Sequence, residues 1–191
     1  MQQALAARRD RPIEVIWLPF ELNPQLPPEG RNRREYLTER FGNPNPFAKG
    51  QQQLLEVGRE LGIDFRFESI ERAPNTRRAH ALAAAALRES SARQAEVIRS
   101  LFEAYFTQGR DVGDPAVLIE IGVRAGMSEI QASTAIDDAA LHAQIQELES
   151  LAQRSNITGV PTFIFDRRQG FSGAQPLEIF LQVIDEFAPA P

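Results

Sequence analysis

The sequence changes texture twice, and the order of those changes limits the folds open to it. A β-rich apolar run, IEVIWLPFEL (13–22), comes first. A long stretch with helical periodicity (36–154) follows, and then a second apolar run, TFIFD (162–166). Near-continuous apolarity in two such short runs predicts strands buried on both faces, as in a parallel sheet. RRQG (167–170) predicts a turn and FSGA (171–174) its antiparallel partner. Pro176 opens a last helix with Leu177, Phe180, Leu181, Ile184 and Phe187 on one face. The first strand and the closing ββα unit must meet to bury their apolar faces. This predicts an α/β domain built discontinuously from 1–35 and 155–191, with an all-helical insertion over 36–154.

Local signals punctuate the middle. NPQLPPEG (23–30) holds three prolines, which fix φ and remove donors, so it is a loop or cover segment. Tyr36, Leu37 and Phe41 predict a short helix ending at Gly42, and Leu54, Leu55, Val57 and Leu61 a second ending at Gly62. IDFRFES (63–69) alternates as a short strand or extended segment. Asn75 reads as the N-cap of a helix running to about Leu87. Val97, Ile98, Leu101, Phe102, Tyr105 and Phe106 form a helical stripe stopped by Gly109. Asp114-Pro115 supplies a cap and an N1 proline, and Ser128 with Gln131 a capping box. Leu141, Ile145, Leu148 and Leu151 carry a further amphipathic helix to about Arg154.

Composition excludes several functions. Net charge is −5, which does not favour a polyanion. Arginines cluster at Arg8-Arg9-Arg11, Arg31-Arg33-Arg34, Arg77-Arg78 and Arg167-Arg168, but they are dispersed along an acidic chain, so no nucleic-acid partner is expected. No apolar run reaches about 18 residues, so no membrane span is expected. The N-terminal segment has no apolar core of a secretory signal, which makes the cytoplasm the expected compartment. With no cysteine at all, thiolate catalysis, disulfides and zinc–thiolate sites are excluded for the residues given. His80 and His142 are the two histidines, without carboxylates at ligand spacing, so no metal is expected.

Three places remain as candidate binding residues. Gly159-Val160-Pro161 precedes the second apolar run. If Val160–Pro161 is cis, the backbone of Val160 has a free N–H and C=O that an extended peptide or glutathione can pair with; otherwise the proline merely starts a strand. Gly173 and Gln175 lie where a helix begins, and a helix start offers N–H groups to an anion or simply ends a hairpin. Asn75 either caps its helix or faces a ligand.

Several stretches, taken in order, resemble the DsbA superfamily of thioredoxin-fold proteins, most closely its FrnE-like branch. WLPFELNPQLPPEG is similar to that family's second strand and following loop. APNTRRAHALAAAA is similar to its Asn-Thr…Ala-His helix start, and LFEAYFTQGRDVGDPAVL to the helix–turn–helix of its insertion domain. GVPTFIF and SGAQPLEIF are similar to its cis-proline loop and last hairpin-to-helix junction. The resemblance implies a thioredoxin-like fold and thiol–disulfide exchange on protein or small-molecule thiols, with Gly159, Val160 and Pro161 aligning the substrate. It also implies kinship with 2-hydroxychromene-2-carboxylate isomerases and kappa-class glutathione transferases, in which the place of Gly173 and Gln175 receives glutathione. These relatives tend to carry an Asp where GAQPLE has none, which favours the FrnE-like branch.

One departure matters. The family begins with a strand and a Cys-X-X-Cys turn, whereas MQQALAARRD is similar to the tail of the helix that follows them. No residue here takes the nucleophile's role; Ser155 and Ser172 do not match it. No cofactor is implied, with glutathione a ligand at most. As written, the chain is expected to be redox-inactive, either as a shortened oxidoreductase or as a non-catalytic peptide- or thiol-binding module. Without the first strand, the two apolar runs keep open ladder edges, and each buried unpaired backbone group costs about 1–3 kcal/mol. A start further upstream would relieve this, as would a strand from another chain (a homodimer among the options) or closure of the two edges into a rearranged core.

Overall fold

The computed structural model describes residues 1–42 and 45–188, with side chains left aside for 45–49. Helices dominate: α1 (Gln2–Ala7), α2 (Arg33–Phe41), α3 (Asn45–Glu60), α4 (Arg77–Leu87), α5 (Ser91–Phe106), α6 (Pro115–Arg124), α7 (Glu129–Ile136), α8 (Ala139–Arg154) and α9 (Leu177–Phe187). Two antiparallel pairs accompany them, β1 (Arg31–Asn32) with β2 (Arg72–Ala73), and β3 (Thr162–Phe165) with β4 (Gln169–Ser172). The chain forms two compact units: Met1–Val15 with Leu148–Pro191, and Ile16–Glu147.

The larger unit is a helical core. Leu82, Val97, Leu101, Leu118, Ile121 and Ile136 from α4, α5, α6 and α7 are all buried in one cluster. Ala81 and Ala135 meet Leu141 and Ile145 of α8 in a second. Gly122 permits the close approach of α6 to α7, since a Cβ there would lie 2.7 Å from the Cβ of Ala132. The helix starts follow local chemistry. Asp114 accepts from the Ala116 N–H ahead of Pro115, and Ser128 and Gln131 complete the expected capping box. Asn75 caps α4 from one residue further out than expected: its Oδ1 accepts from the Arg77 N–H at 3.0 Å, while Thr76 holds the cap position.

One expectation is corrected. Residues 13–22 form no strand, and Ile16, Leu18 and Leu22 are exposed rather than buried on both faces. A strand exists only through a ladder partner, and no described residue supplies one. Of the two alternatives for 63–69, no strand forms: residues 63–66 have no regular structure and lead into a 3-10 turn at Phe67–Ser69.

The smaller unit packs one face of the β3–β4 hairpin against helices. Phe163, Phe165 and Phe171 meet Ala4 of α1 and Phe180 and Ile184 of α9. The Phe180 ring stands nearly perpendicular to those of Phe163 and Phe171, at 4.9 and 5.2 Å between centroids, an edge-to-face arrangement that aromatic quadrupoles favour. Arg8 closes α1 onto α9 through two 2.7 Å bonds to the Asp185 carboxylate. Strand β4 begins at Gln169, two residues earlier than the sequence suggests. The reversal is made by Asp166 and Arg167, both at positive φ, with the Arg168 N–H donating to Phe165 O. That conformation is of the primed type common in hairpins, but Asp-Arg lacks the Asn-Gly signature that announces it.

Candidate functional site

The hairpin register fixes which way each peptide group of β3 points. Thr162 pairs with Ser172, Phe163 with Phe171, Ile164 with Gly170 and Phe165 with Gln169. Just before the strand, the Gly173 N–H donates to Pro161 O at 2.8 Å. Bonded and non-bonded pairs alternate along an antiparallel ladder. Pro161 O and the backbone groups of Phe163 and Phe165 therefore turn toward β4, and Thr162 and Ile164 turn theirs to the opposite edge; Val160 lies in the bend just before the strand. Strand β3 has no other partner among the described residues, and none of them makes a hydrogen bond to the backbone of Val160. The side chains of Val160 and Ile164 are about half exposed, at 50% and 52%. The Val160–Pro161 peptide bond is cis.

Polar side chains fasten this corner. The Thr162 hydroxyl donates to Gly159 O at 2.8 Å and lies 2.9 Å from the Ser172 hydroxyl. The Gln175 side chain donates to Ser172 O at 3.2 Å, and α9 begins two residues later with Pro176 at its cap. Gly159, Val160, Pro161, Gly173 and Gln175 thus belong to one corner of the smaller unit. Gly173 bends the chain at φ +82° with open space around it.

Asn75 lies in the larger unit. Its side chain also donates to Leu26 O at 2.7 Å, tying the proline-rich loop to the start of α4. A cavity of about 400 Å³ opens there, lined by Pro24, Leu26, Asn75, Arg78, Asp137 and His142. Beside it, the Glu21 carboxylate is buried and accepts from Arg77 Nε and Nη2 at 3.1 and 2.7 Å. Burial pushes the His80 imidazole below its ordinary value, opposed by the Glu21 charge and by a hydrogen bond to the Phe20 backbone. The Glu21–Arg77 pair has no signature in the sequence, because 56 residues separate its members and nothing local links them. Among the described residues no group of histidine and carboxylate side chains is placed to hold a metal ion, and no helix is long and apolar enough to cross a membrane.

Comparison with known proteins agrees with this geometry. The family model described as the DSBA-like thioredoxin domain matches residues 1–185, and the chain belongs to that family. A crystal structure of a probable DsbA oxidoreductase from Streptomyces coelicolor superposes with a TM-score of 0.84 at 29% identity, covering 97% of this chain and 80% of that one. The uncharacterized protein YwbO of Bacillus subtilis is 23% identical over 181 residues, which is 94% of this chain and 85% of that protein. The fold is the thioredoxin-like DsbA fold, rich in helix and poor in strand.

Proposed function

We propose that this chain carries the substrate-binding part of a DsbA-type thiol–disulfide oxidoreductase and takes an extended protein or small-molecule thiol or disulfide at Gly159-Val160-Pro161. The observation that carries the reading is the open backbone of Val160 beside an exposed strand edge. A peptide that pairs with it gains backbone hydrogen bonds whatever its sequence, which suits a protein acting on many partners. Family membership and the likeness to a probable DsbA oxidoreductase support the same reading. Within the family we assign the chain to the FrnE-like branch, because GAQPLE (173–178) lacks the Asp expected of the glutathione-dependent relatives. A cytoplasmic location goes with this assignment, and cell fractionation tests it.

These 191 residues supply no thiolate. Thiol–disulfide exchange begins with thiolate attack on a disulfide sulfur, so the chain by itself binds without exchanging. The second reading, a non-catalytic module for peptides or thiol compounds, rests on that absence of cysteine and shares the same edge.

Calorimetric titration with an extended peptide, and with the same peptide N-methylated at one backbone position at a time, tests the proposal. One methylated position is expected to weaken binding roughly tenfold, the loss of about one hydrogen bond. Equal affinity for every methylated peptide overturns the reading. An insulin-reduction assay of the same protein is expected to stay at background.

A further inference from the structure

We infer that Thr162 is the positioning residue of the proposed binding corner: its hydroxyl, backed by that of Ser172, holds Gly159 and so fixes where the N–H and C=O of Val160 point. This role presupposes the reading of Val160 given above and adds the group that sets its geometry.

The backbone around Val160 is fastened at two ends. Upstream, the Ile157 N–H donates to Ala152 O at 2.9 Å, which ties the chain to the last turn of α8. Downstream, the Gly173 N–H donates to Pro161 O at 2.8 Å. Among the described residues, the backbone of 158–160 makes one hydrogen bond between these points. It runs from the Thr162 hydroxyl to Gly159 O at 2.8 Å. Packing does not replace it. Thr158 and Val160 are exposed, and a Cβ at Gly159 would meet no atom within 4 Å. Glycine has the widest backbone freedom of any residue. Without that bond the Gly159 peptide is free to turn, and Val160 turns with it.

The hydroxyl protons set a direction. Thr162 has one, and Gly159 O takes it. The Ser172 hydroxyl, 2.9 Å away, therefore donates to Thr162 Oγ1. Ser172 lies opposite Thr162 in the β3–β4 register, and Ser172 O accepts from the Gln175 side chain at 3.2 Å. The regular hairpin thus reaches the irregular bend through a row of two hydroxyls, in which each bond polarises the next. Valine has nearly the shape of threonine and can make neither bond.

Backbone nitrogen-15 relaxation and calorimetric peptide titration of the full chain test the inference. In the parent, the order parameter of Val160 is expected near that of rigid backbone, about 0.85; in Thr162→Val it is expected to fall toward roughly 0.6. Peptide affinity is expected to drop roughly tenfold with it, and the one methylated position that costs most in the parent is expected to cost no more than the others. Thr162→Ser keeps the hydroxyl and is expected to match the parent, with Ser172→Ala between the two. The amides of Phe163 and Phe165, which face β4, are expected to stay protected in every variant. A Val160 as ordered in Thr162→Val as in the parent overturns the inference, whether or not a peptide binds. A Thr162→Ser variant as loose as Thr162→Val overturns it too, because bulk and not the hydroxyl then holds the bend. So does loss of Phe163 and Phe165 protection in Thr162→Val, since the residue then supports the strand instead. A parent that binds no peptide, while Thr162→Val still loosens Val160, defeats only the peptide-binding reading.

Discussion

The side-chain amide of Gln94 forms two hydrogen bonds with the backbone of Trp17, accepting from its N–H at 2.9 Å and donating to its C=O at 2.8 Å. Gln94 is 1% exposed, so it does for one residue what a neighbouring strand would do for several. Gln94→Leu leaves both peptide groups of Trp17 without these partners. Each group left unsatisfied costs about 1–3 kcal/mol, so urea unfolding is expected to show a loss of a few kcal/mol. A change near zero removes this role.

Arg77 faces the buried Glu21 carboxylate with two donors. Removing Arg77 takes two charge-assisted hydrogen bonds from the buried carboxylate, each worth about 1.5–3 kcal/mol. Arg77→Met is therefore expected to destabilise strongly in denaturant titrations, and Glu21→Gln combined with Arg77→Met to recover much of the loss. A double variant no better than the single change contradicts the pairing.

His80 makes stability depend on pH. Burial lowers its pKa below the ordinary 6.5, against the pull of Glu21 and of the Phe20 backbone. Between the lowered folded value and 6.5, the unfolded chain binds the proton and the folded one does not, so stability rises with pH there. The contribution is complete above the unfolded value and is lost as pH falls through the folded one. The stability difference between the parent and His80→Gln is expected to shrink on acidification below about 6.5; a difference independent of pH contradicts it.

Phe180 is central to the aromatic cluster beneath the hairpin, 4% exposed and edge-on to two other rings. Phe180→Ala is expected to cost about 3–5 kcal/mol and to speed amide exchange along β3 and β4. Retained protection there means the hairpin does not depend on this face.

Features set by near neighbours were legible in the sequence: the Asp114-Pro115 start, the Ser128–Gln131 box and the strand 162–165. The Gly159-Val160-Pro161 corner was legible too, because its turn and strand are contiguous. Residues 13–22 were misread as a strand, since apolarity marks a segment that can pair and says nothing about whether a partner is present. Gln94 was missed although a signal existed. It precedes Val97 and Leu101 by three and seven positions, which puts it on the buried stripe of α5. The Glu21–Arg77 pair left no local trace, because only the tertiary fold brings its members together.

The most direct test of the central claim is an NMR titration of the isotopically labelled chain with an extended peptide, followed amide by amide. The account predicts that the largest shifts fall on Val160 and its neighbours, with slowed exchange of the Val160 N–H in the bound state. Binding that leaves residues 159–164 unperturbed, or no binding at concentrations where the chain is monomeric, contradicts it.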